Sequence, residues 1–89
     1  MNTSRMYEIW LESSAERDLK QLSKIDFERI IESIRLLSQN PRPAGSRKIS
    51  GSDYAWRIRV GAYRVIYKID DRKKSVLIFR VRHRKEVYR

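Results

Sequence analysis

The chain has 89 residues, 40% of them hydrophobic, and a formal net charge of +10. A chain of this length makes one domain, residues 1–89, whose small core leaves room for two or three helices and one sheet. The absence of cysteine excludes disulfides and thiolate metal sites, and no apolar run approaches the ~20 residues of a membrane span, so we expect a cytoplasmic protein with no membrane partner.

The N-terminal part predicts one strand and two helices. Met6–Leu11 alternates as a strand does, with Trp10 on the outer face. Ser13, with Glu16 three residues later, fits a capping box at the start of a short helix, and Asp26 is expected to cap a second helix. The helical positions expected to face the core are Ala15, Leu19, Leu22, Phe27, Ile30, Ile31, Ile34 and Leu37.

A long loop and a hairpin follow the helices. Asn40-Pro41 ends the second helix, and the loop to Gly51 contains Arg47 and Lys48, which are predicted to hold nucleic-acid backbone; a plain linker is the alternative. Two strands, 56–60 and 63–69, are joined by Gly61-Ala62, a turn of type II′. This loop length predicts the cross-strand pairs Val60–Tyr63, Arg59–Arg64, Ile58–Val65 and Arg57–Ile66.

After a turn at 70–74, Ser75–Arg82 predicts the last strand, and the tail has no clear period. The fold class expected is α+β, with a two-helix hairpin packed on one face of a small twisted antiparallel sheet. The helices are expected to cover the face formed by Tyr7, Ile9, Leu11, Trp56, Ile58, Val60, Val65, Tyr67, Leu77, Phe79 and Val81.

The opposite sheet face is expected to be an open basic surface. Residues 47–89 hold fourteen Lys and Arg against four Asp and Glu, which favours a nucleic-acid partner over an anionic membrane. Like charges opposite each other destabilise a sheet, so the Arg59–Arg64 pair indicates an anionic ligand, with a solvated basic face as the alternative. This face is predicted to carry Arg57, Arg59, Arg64, Lys68, Arg80 and Arg82, with Ile66 and Ile78 between them.

An RNA backbone suits such a surface because guanidinium groups match phosphate and stabilise the charge of the transition state. Attack by the RNA 2′-OH needs no metal ion and no cofactor, and we expect neither. The candidates for proton transfer are His83, the only histidine, and Tyr88. Strand alternation places His83 on the covered side, whereas a strand ending at Arg82 would let its ring turn to the basic face.

Motifs along the chain resemble the RelE/ParE superfamily of type II toxin–antitoxin toxins. The residues that carry the resemblance are Ala15, Asp18-Leu19, Leu22, Asn40-Pro41, Arg57-Ile58-Arg59-Val60-Gly61, Tyr63-Arg64-Val65-Ile66-Tyr67, His83-Arg84 and Val87-Tyr88. The resemblance implies a helix hairpin on an antiparallel sheet. It also implies one of two activities: ribosome-dependent cleavage of mRNA in the A site by RelE-like members, or inhibition of DNA gyrase by ParE-like members.

The basic set favours the RelE-like branch, an endoribonuclease toxin that inhibits translation and arrests growth. The catalytic residues that the resemblance implies are Arg57, Arg59, Arg64, Arg84 and Tyr88, with His83 as an alternative to Arg84 at the leaving oxygen. Expected RNA contacts are Arg47, Lys48, Lys68, Arg80 and Arg82. The partners implied are the ribosome, its mRNA and an acidic, partly helical cognate antitoxin that would also bury Ile66 and Ile78. A basic RNA-binding module without cleavage is the remaining alternative.

Overall fold

A computed structural model describes residues 6–52 and 54–87 of the chain. The element order is β-α-α followed by four strands and a short helix. The bounds are β1 (Glu8–Leu11), α1 (Ser13–Lys20), α2 (Lys24–Leu37), β2 (Arg47–Lys48), β3 (Ala55–Val60), β4 (Tyr63–Asp70), β5 (Ser75–His83) and α3 (Arg84–Val87).

The sheet has five strands in the order β1-β5-β4-β3-β2, and α1 and α2 pack on it, which confirms the predicted α+β class. Three of the four strand pairs are antiparallel, but β1 runs parallel to β5, so the sheet is mixed. The 41–51 loop is interrupted by β2, in which Arg47 pairs with Arg57. Both features depend on contacts between distant segments and leave no local pattern in the sequence.

The β3–β4 hairpin has the predicted register. Val60 lies opposite Tyr63, and Arg59 lies opposite Arg64. Gly61 has a φ of +61°, the left-handed value that the first residue of a type II′ turn needs. A two-residue loop fixes every pair that follows it, which is why this register was predictable from the sequence.

The facing of β5 differs from the prediction in its first half. The β4–β5 ladder pairs Ile66 with Arg80 and then Tyr67 with Ile78, so Phe79 is an extra residue that forms a bulge. The bulge turns Val76 and Ile78 into the core, where both are fully buried, and leaves Leu77 opposite Lys68 on the other face. The expectations that Leu77 faces the helices and that Ile78 interrupts the basic face were therefore wrong.

The helices begin at different residues from those predicted. The N-cap of α1 is Glu12, without a side-chain cap bond, so the Ser13 capping box was wrong. Ser23 caps α2, where its hydroxyl accepts the N–H of Asp26 at 3.2 Å. Phe27 is 39% exposed and does not join the core. The buried apolar residues are Ala15, Leu19, Ile30, Ile34, Leu37, Ile58, Val60, Val65, Tyr67, Val76, Ile78 and Val81.

Helix α1 takes the place of a strand along the outer edge of β5. The last ladder pair of β1 joins Leu11 to Ile78, and beyond it the Ser14 hydroxyl donates to the carbonyl of Phe79 at 2.8 Å. Asp18 Oδ2 then accepts the N–H of Val81 at 2.8 Å. Side chains of α1 thus satisfy backbone groups that an edge strand would otherwise leave open, and they fix the end of β5 from which the candidate site is built.

Candidate nucleic-acid interface

The sheet face opposite the helices carries two rows of basic residues. In the first row Arg59 of β3 lies opposite Arg64 of β4, which lies opposite Arg82 of β5. In the second row Arg47 lies opposite Arg57. Because side chains alternate along a strand, Arg57 and Arg59 point to the same face. The strands therefore bring together the arginines that the sequence analysis singled out.

This face is less open than predicted. Arg64 keeps only 4% of its surface exposed, whereas its neighbour Arg59 is exposed and Arg57 and Arg82 are half-buried. A buried guanidinium has few rotamers left to lose, so an anion that reaches Arg64 meets a donor whose position is already set. The row thus combines a fixed cation with an accessible one.

The first row borders a cavity of about 290 Å³ at the hairpin end of the sheet. Basic side chains from three elements converge on it, since α3 follows β5 directly and the N–H of Arg84 donates to the carbonyl of Ala62 at 2.7 Å. Its lining consists of Arg59, Gly61, Tyr63, Arg64, Arg84 and Lys85. Converging cations of this kind form a site for a phosphate group.

Sequence reasoning missed two members of this lining, Tyr63 and Lys85. Tyr63 was predicted only as the partner of Val60 in the hairpin, without a role in the site. Lys85 belongs to a tail without periodicity. The turn of α3 brings it to the cavity, and a four-residue helix is too short to leave a periodic signal.

His83 lies on the helix side of the sheet, with Val81. Strand β5 extends to His83 and pairs it with Tyr63, and the two rings meet edge to face with centroids 5.3 Å apart. Its Nδ1 accepts the N–H of Lys85 at 3.2 Å. His83 borders a second cavity, next to α1, whereas Arg84 lines the cavity with Arg59 and Arg64.

Arg80 differs from the other arginines because α1 engages it. Its guanidinium donates to Asp18 at 2.8 and 3.2 Å, and this carboxylate also accepts the N–H of Val81. Burial raises the pKa of Asp18, but these hydrogen bonds and the charge of Arg80 outweigh that effect and hold the pKa below its usual 3.8. The predicted RNA-binding role of Arg80 stays a prediction, and its visible role is to join β5 to α1.

The remaining predicted RNA contacts lie away from the cavity. Arg47 and Lys48 form the exposed edge strand β2. Lys68 lies opposite Leu77, and its amine sits 5.0 Å from the ring centroid of Tyr54. Tyr88 lies outside the described residues, so its predicted place in the site stays a prediction. No helix among the described residues is long and apolar enough to cross a membrane.

Comparisons with known proteins agree on one group of relatives. A family model described as the ParE toxin of the type II toxin–antitoxin system parDE matches residues 9–88. The toxin RelG of Mycobacterium tuberculosis is 34% identical over 87 residues, which cover 93% of this chain and 97% of RelG.

Solved structures point the same way. The archaeal RelE–RelB complex of Pyrococcus horikoshii has a chain similar to this one with a TM-score of 0.79 and 26% identity, covering 89% of this chain and 96% of that chain. In the toxin–antitoxin complex RelBE2 of Mycobacterium tuberculosis the similar chain gives a TM-score of 0.78 and 30% identity, covering 88% of this chain and 91% of that one.

Proposed function

The chain belongs to the RelE/ParE superfamily of type II toxin–antitoxin toxins, and on that basis we propose that it is a ribosome-dependent endoribonuclease that cleaves mRNA. The observation that carries the proposal is the cavity lined by Arg59, Arg64, Arg84 and Lys85. Four cationic side chains around one small space suit a phosphodiester whose negative charge grows during the reaction.

In the proposed reaction the ribose 2′-oxygen attacks the adjacent phosphorus and the P–O5′ bond breaks. The 2′ proton passes to solvent water, and the departing 5′-oxygen takes a proton from water, so the products are a 2′,3′-cyclic phosphate and a 5′-OH. Arg59 and Arg64 hold the non-bridging oxygens, whose charge is highest in the transition state. Arg57, two residues before Arg59 in β3, positions the 2′-OH.

For the leaving oxygen the geometry favours Arg84 over His83. Arg84 lines the arginine cavity, whereas His83 borders the cavity next to α1. A guanidinium stays protonated, so Arg84 serves by hydrogen bonding and charge to the departing oxygen. Tyr88 follows α3 in the chain, and the proposal keeps it as the residue that orients the substrate by stacking or by a hydrogen bond.

We also propose a cognate antitoxin as partner. The two similar structures described above are toxin–antitoxin complexes, RelE–RelB and RelBE2, and a free nuclease of this kind would poison its host. Exposed large apolar residues remain on the surface, among them Trp10 at 58% and Leu36 at 51%. Mixing the toxin with an excess of the product of the neighbouring gene should give a stable complex, and the lack of one would count against this partner.

The proposed activity is tested by primer extension on mRNA under translation, with the toxin added in vitro. We expect new 5′ ends inside codons that occupy the A site, and none on the same mRNA without ribosomes. A gyrase supercoiling assay runs beside it, because the matching family model is described as a ParE toxin. Gyrase inhibition without mRNA cleavage would replace this proposal with the ParE-like one.

A further inference from the structure

A second cavity, of about 350 Å³, lies between α1 and the ends of β4 and β5. Its lining includes Arg17, Asp18, Gln21, Tyr63, Arg80 and His83. The proposed cleavage assigns no step to this space. Its size falls within the range of small-molecule sites, and its walls combine two aromatic rings with several hydrogen-bonding groups.

Tyr63 joins this cavity to the arginine cavity, because its side chain lines both. A phosphate held by Arg59 and Arg64 lies on one side of the Tyr63 ring. The ribose of its nucleoside is joined to it through a single ester oxygen. A base joined to that phosphate would lie next to the Tyr63 ring, which borders the second cavity.

The second cavity also has the chemistry of a base site. Proteins read unstacked RNA bases by aromatic contact and by hydrogen bonds to the base edge. Tyr63 and His83 supply rings at 86° to each other, so a base that stacks on one ring turns its own edge toward the face of the other. Asp18 and Arg80 are fixed by their mutual bonds, which leaves the exposed carboxamide of Gln21 to adapt to the base.

We propose that this cavity binds the base of a nucleotide adjacent to the scissile phosphate, and that Gln21 reads the edge of that base. The inference rests on the proposed nuclease function and adds to it a determinant of where the RNA is cut. A glutamine side chain both donates and accepts, whereas a glutamate only accepts. Gln21→Glu should therefore favour the bases that carry an exocyclic amino group, such as cytosine and adenine, over uracil, which has none.

The test compares the distribution of cut sites. A translated mRNA pool is treated with the wild-type toxin or with Gln21→Glu, and the new 5′-OH ends are sequenced. The nucleotides immediately 5′ and 3′ of each cut are then counted. A difference of one hydrogen bond corresponds to a roughly fivefold change, so we expect that change in the ratio of cuts beside cytosine or adenine to cuts beside uracil.

Gln39→Glu is the matched control. Both glutamines are exposed and follow the C-terminal end of a helix, and both substitutions lower the net charge by the same amount. Gln39 lies at the end of α2 and borders neither cavity. Its variant should keep the wild-type base distribution. If Gln21→Glu gives that same distribution, or lowers cleavage equally at all sites, the base-site inference is overturned.

A binding measurement separates this inference from the proposed function. CMP and UMP are titrated into wild-type and Gln21→Glu protein, and the NMR signals of the His83 and Tyr63 rings are followed. We expect the signals of both rings to shift on binding. In the variant, the affinity for CMP relative to UMP should rise several-fold. If the ring signals do not shift, the base-site inference is overturned even if the protein cleaves mRNA. Ring shifts in a protein that cuts no mRNA would sink the nuclease and keep the nucleotide site.

Discussion

Arg59 lies directly opposite Arg64 in the β3–β4 ladder, yet Arg59 is exposed and Arg64 is 4% exposed. The two guanidinium groups therefore differ in how much freedom they lose when an anion binds. Arg64 is held by its surroundings before binding, whereas Arg59 must be ordered by the ligand. We expect Arg64 to contribute geometry as well as charge, and Arg59 to contribute mainly charge.

Arg64→Lys should lower the rate of mRNA cleavage by roughly 100-fold, because lysine keeps the charge but loses the planar fork that grips two oxygens. The rate is followed by primer extension on translated mRNA at saturating toxin. Arg72→Lys, the same change in the exposed 71–74 turn, should leave the rate unchanged. Equal rates for Arg64→Lys and wild type would exclude a positioning role for Arg64.

Arg59→Gln should weaken binding of single-stranded RNA and reduce its salt dependence. Removing one phosphate-binding cation makes the negative slope of log K against log salt shallower by about 0.7 for a single strand. Titrations of a labelled oligonucleotide at several salt concentrations measure that slope. The control is Arg35→Gln on α2, an exposed arginine that borders neither cavity. A slope that drops equally in both variants would mean that the charges bind RNA without a defined site.

Asp18→Asn should destabilise the fold by about 1 kcal/mol in urea unfolding at pH 7, since the charged hydrogen bonds are partly exposed to solvent. The bonds at stake are those to Arg80 and Val81. The pKa of Asp18 is lowered in the folded state, so the ionised carboxylate stabilises at neutral pH. That contribution disappears as the pH falls below about 4. The wild type should approach Asp18→Asn as the pH falls below 4, and a difference in stability that does not shrink with falling pH would contradict this assignment.

Asp71 should titrate far below an ordinary aspartate. Hydrogen bonds from Arg42 at 2.9 Å and from the Tyr7 hydroxyl at 2.6 Å lower the pKa of Asp71 to about 2. Since the folded pKa is depressed, the ion pair stabilises the fold above about pH 4, and this stabilisation disappears toward pH 2. In Arg42→Gln the midpoint, followed by carboxyl ¹³C NMR, should move back toward 3.8, and Arg35→Gln should leave it in place. An unchanged midpoint in Arg42→Gln would refute the pairing.

Tyr67→Phe should destabilise the fold by about 1–2 kcal/mol, because it leaves the carbonyl of Pro41 without its buried hydroxyl donor. The bond is 2.7 Å long, and Tyr67 is fully buried. Burial raises the pKa of Tyr67 to about 12, so this stabilisation is present below pH 10 and is lost as the pH rises toward 12. Urea unfolding compares the free energy of unfolding of Tyr67→Phe with that of Tyr54→Phe. The second change is at an exposed position and should alter stability by less than about 0.5 kcal/mol. Equal losses in both would contradict the buried bond.

The hairpin and its arginines were predictable because their pattern is local. A two-residue loop with Gly61 fixes the pairs of β3 and β4, and alternation then assigns Arg57, Arg59 and Arg64 to one face. The apolar positions of α2 at Ile30, Ile34 and Leu37 follow the helical period and are buried.

The features that could not be predicted depend on distant partners. Parallel pairing of β1 with β5 and the short strand β2 are set by the assembled sheet. The bulge at Phe79 adds a residue that alternation cannot reveal, so the facing of Leu77 and Ile78 was misassigned. The second cavity was not predicted either, because Gln21 and His83 line the same cavity only after α1 has packed along β5.

The extra residue at Phe79 interrupts the alternation of inward and outward side chains along β5. The segment before it buries Val76 and Ile78, and the segment after it buries Val81 while Arg82 lies on the arginine face. Deleting the extra residue alone would restore simple alternation, with Ile78 and Val81 still turned inward and Arg82 still turned outward. Related toxins should therefore be able to lose the bulge residue, and those without it should have a regular β5 that presents the same arginine face.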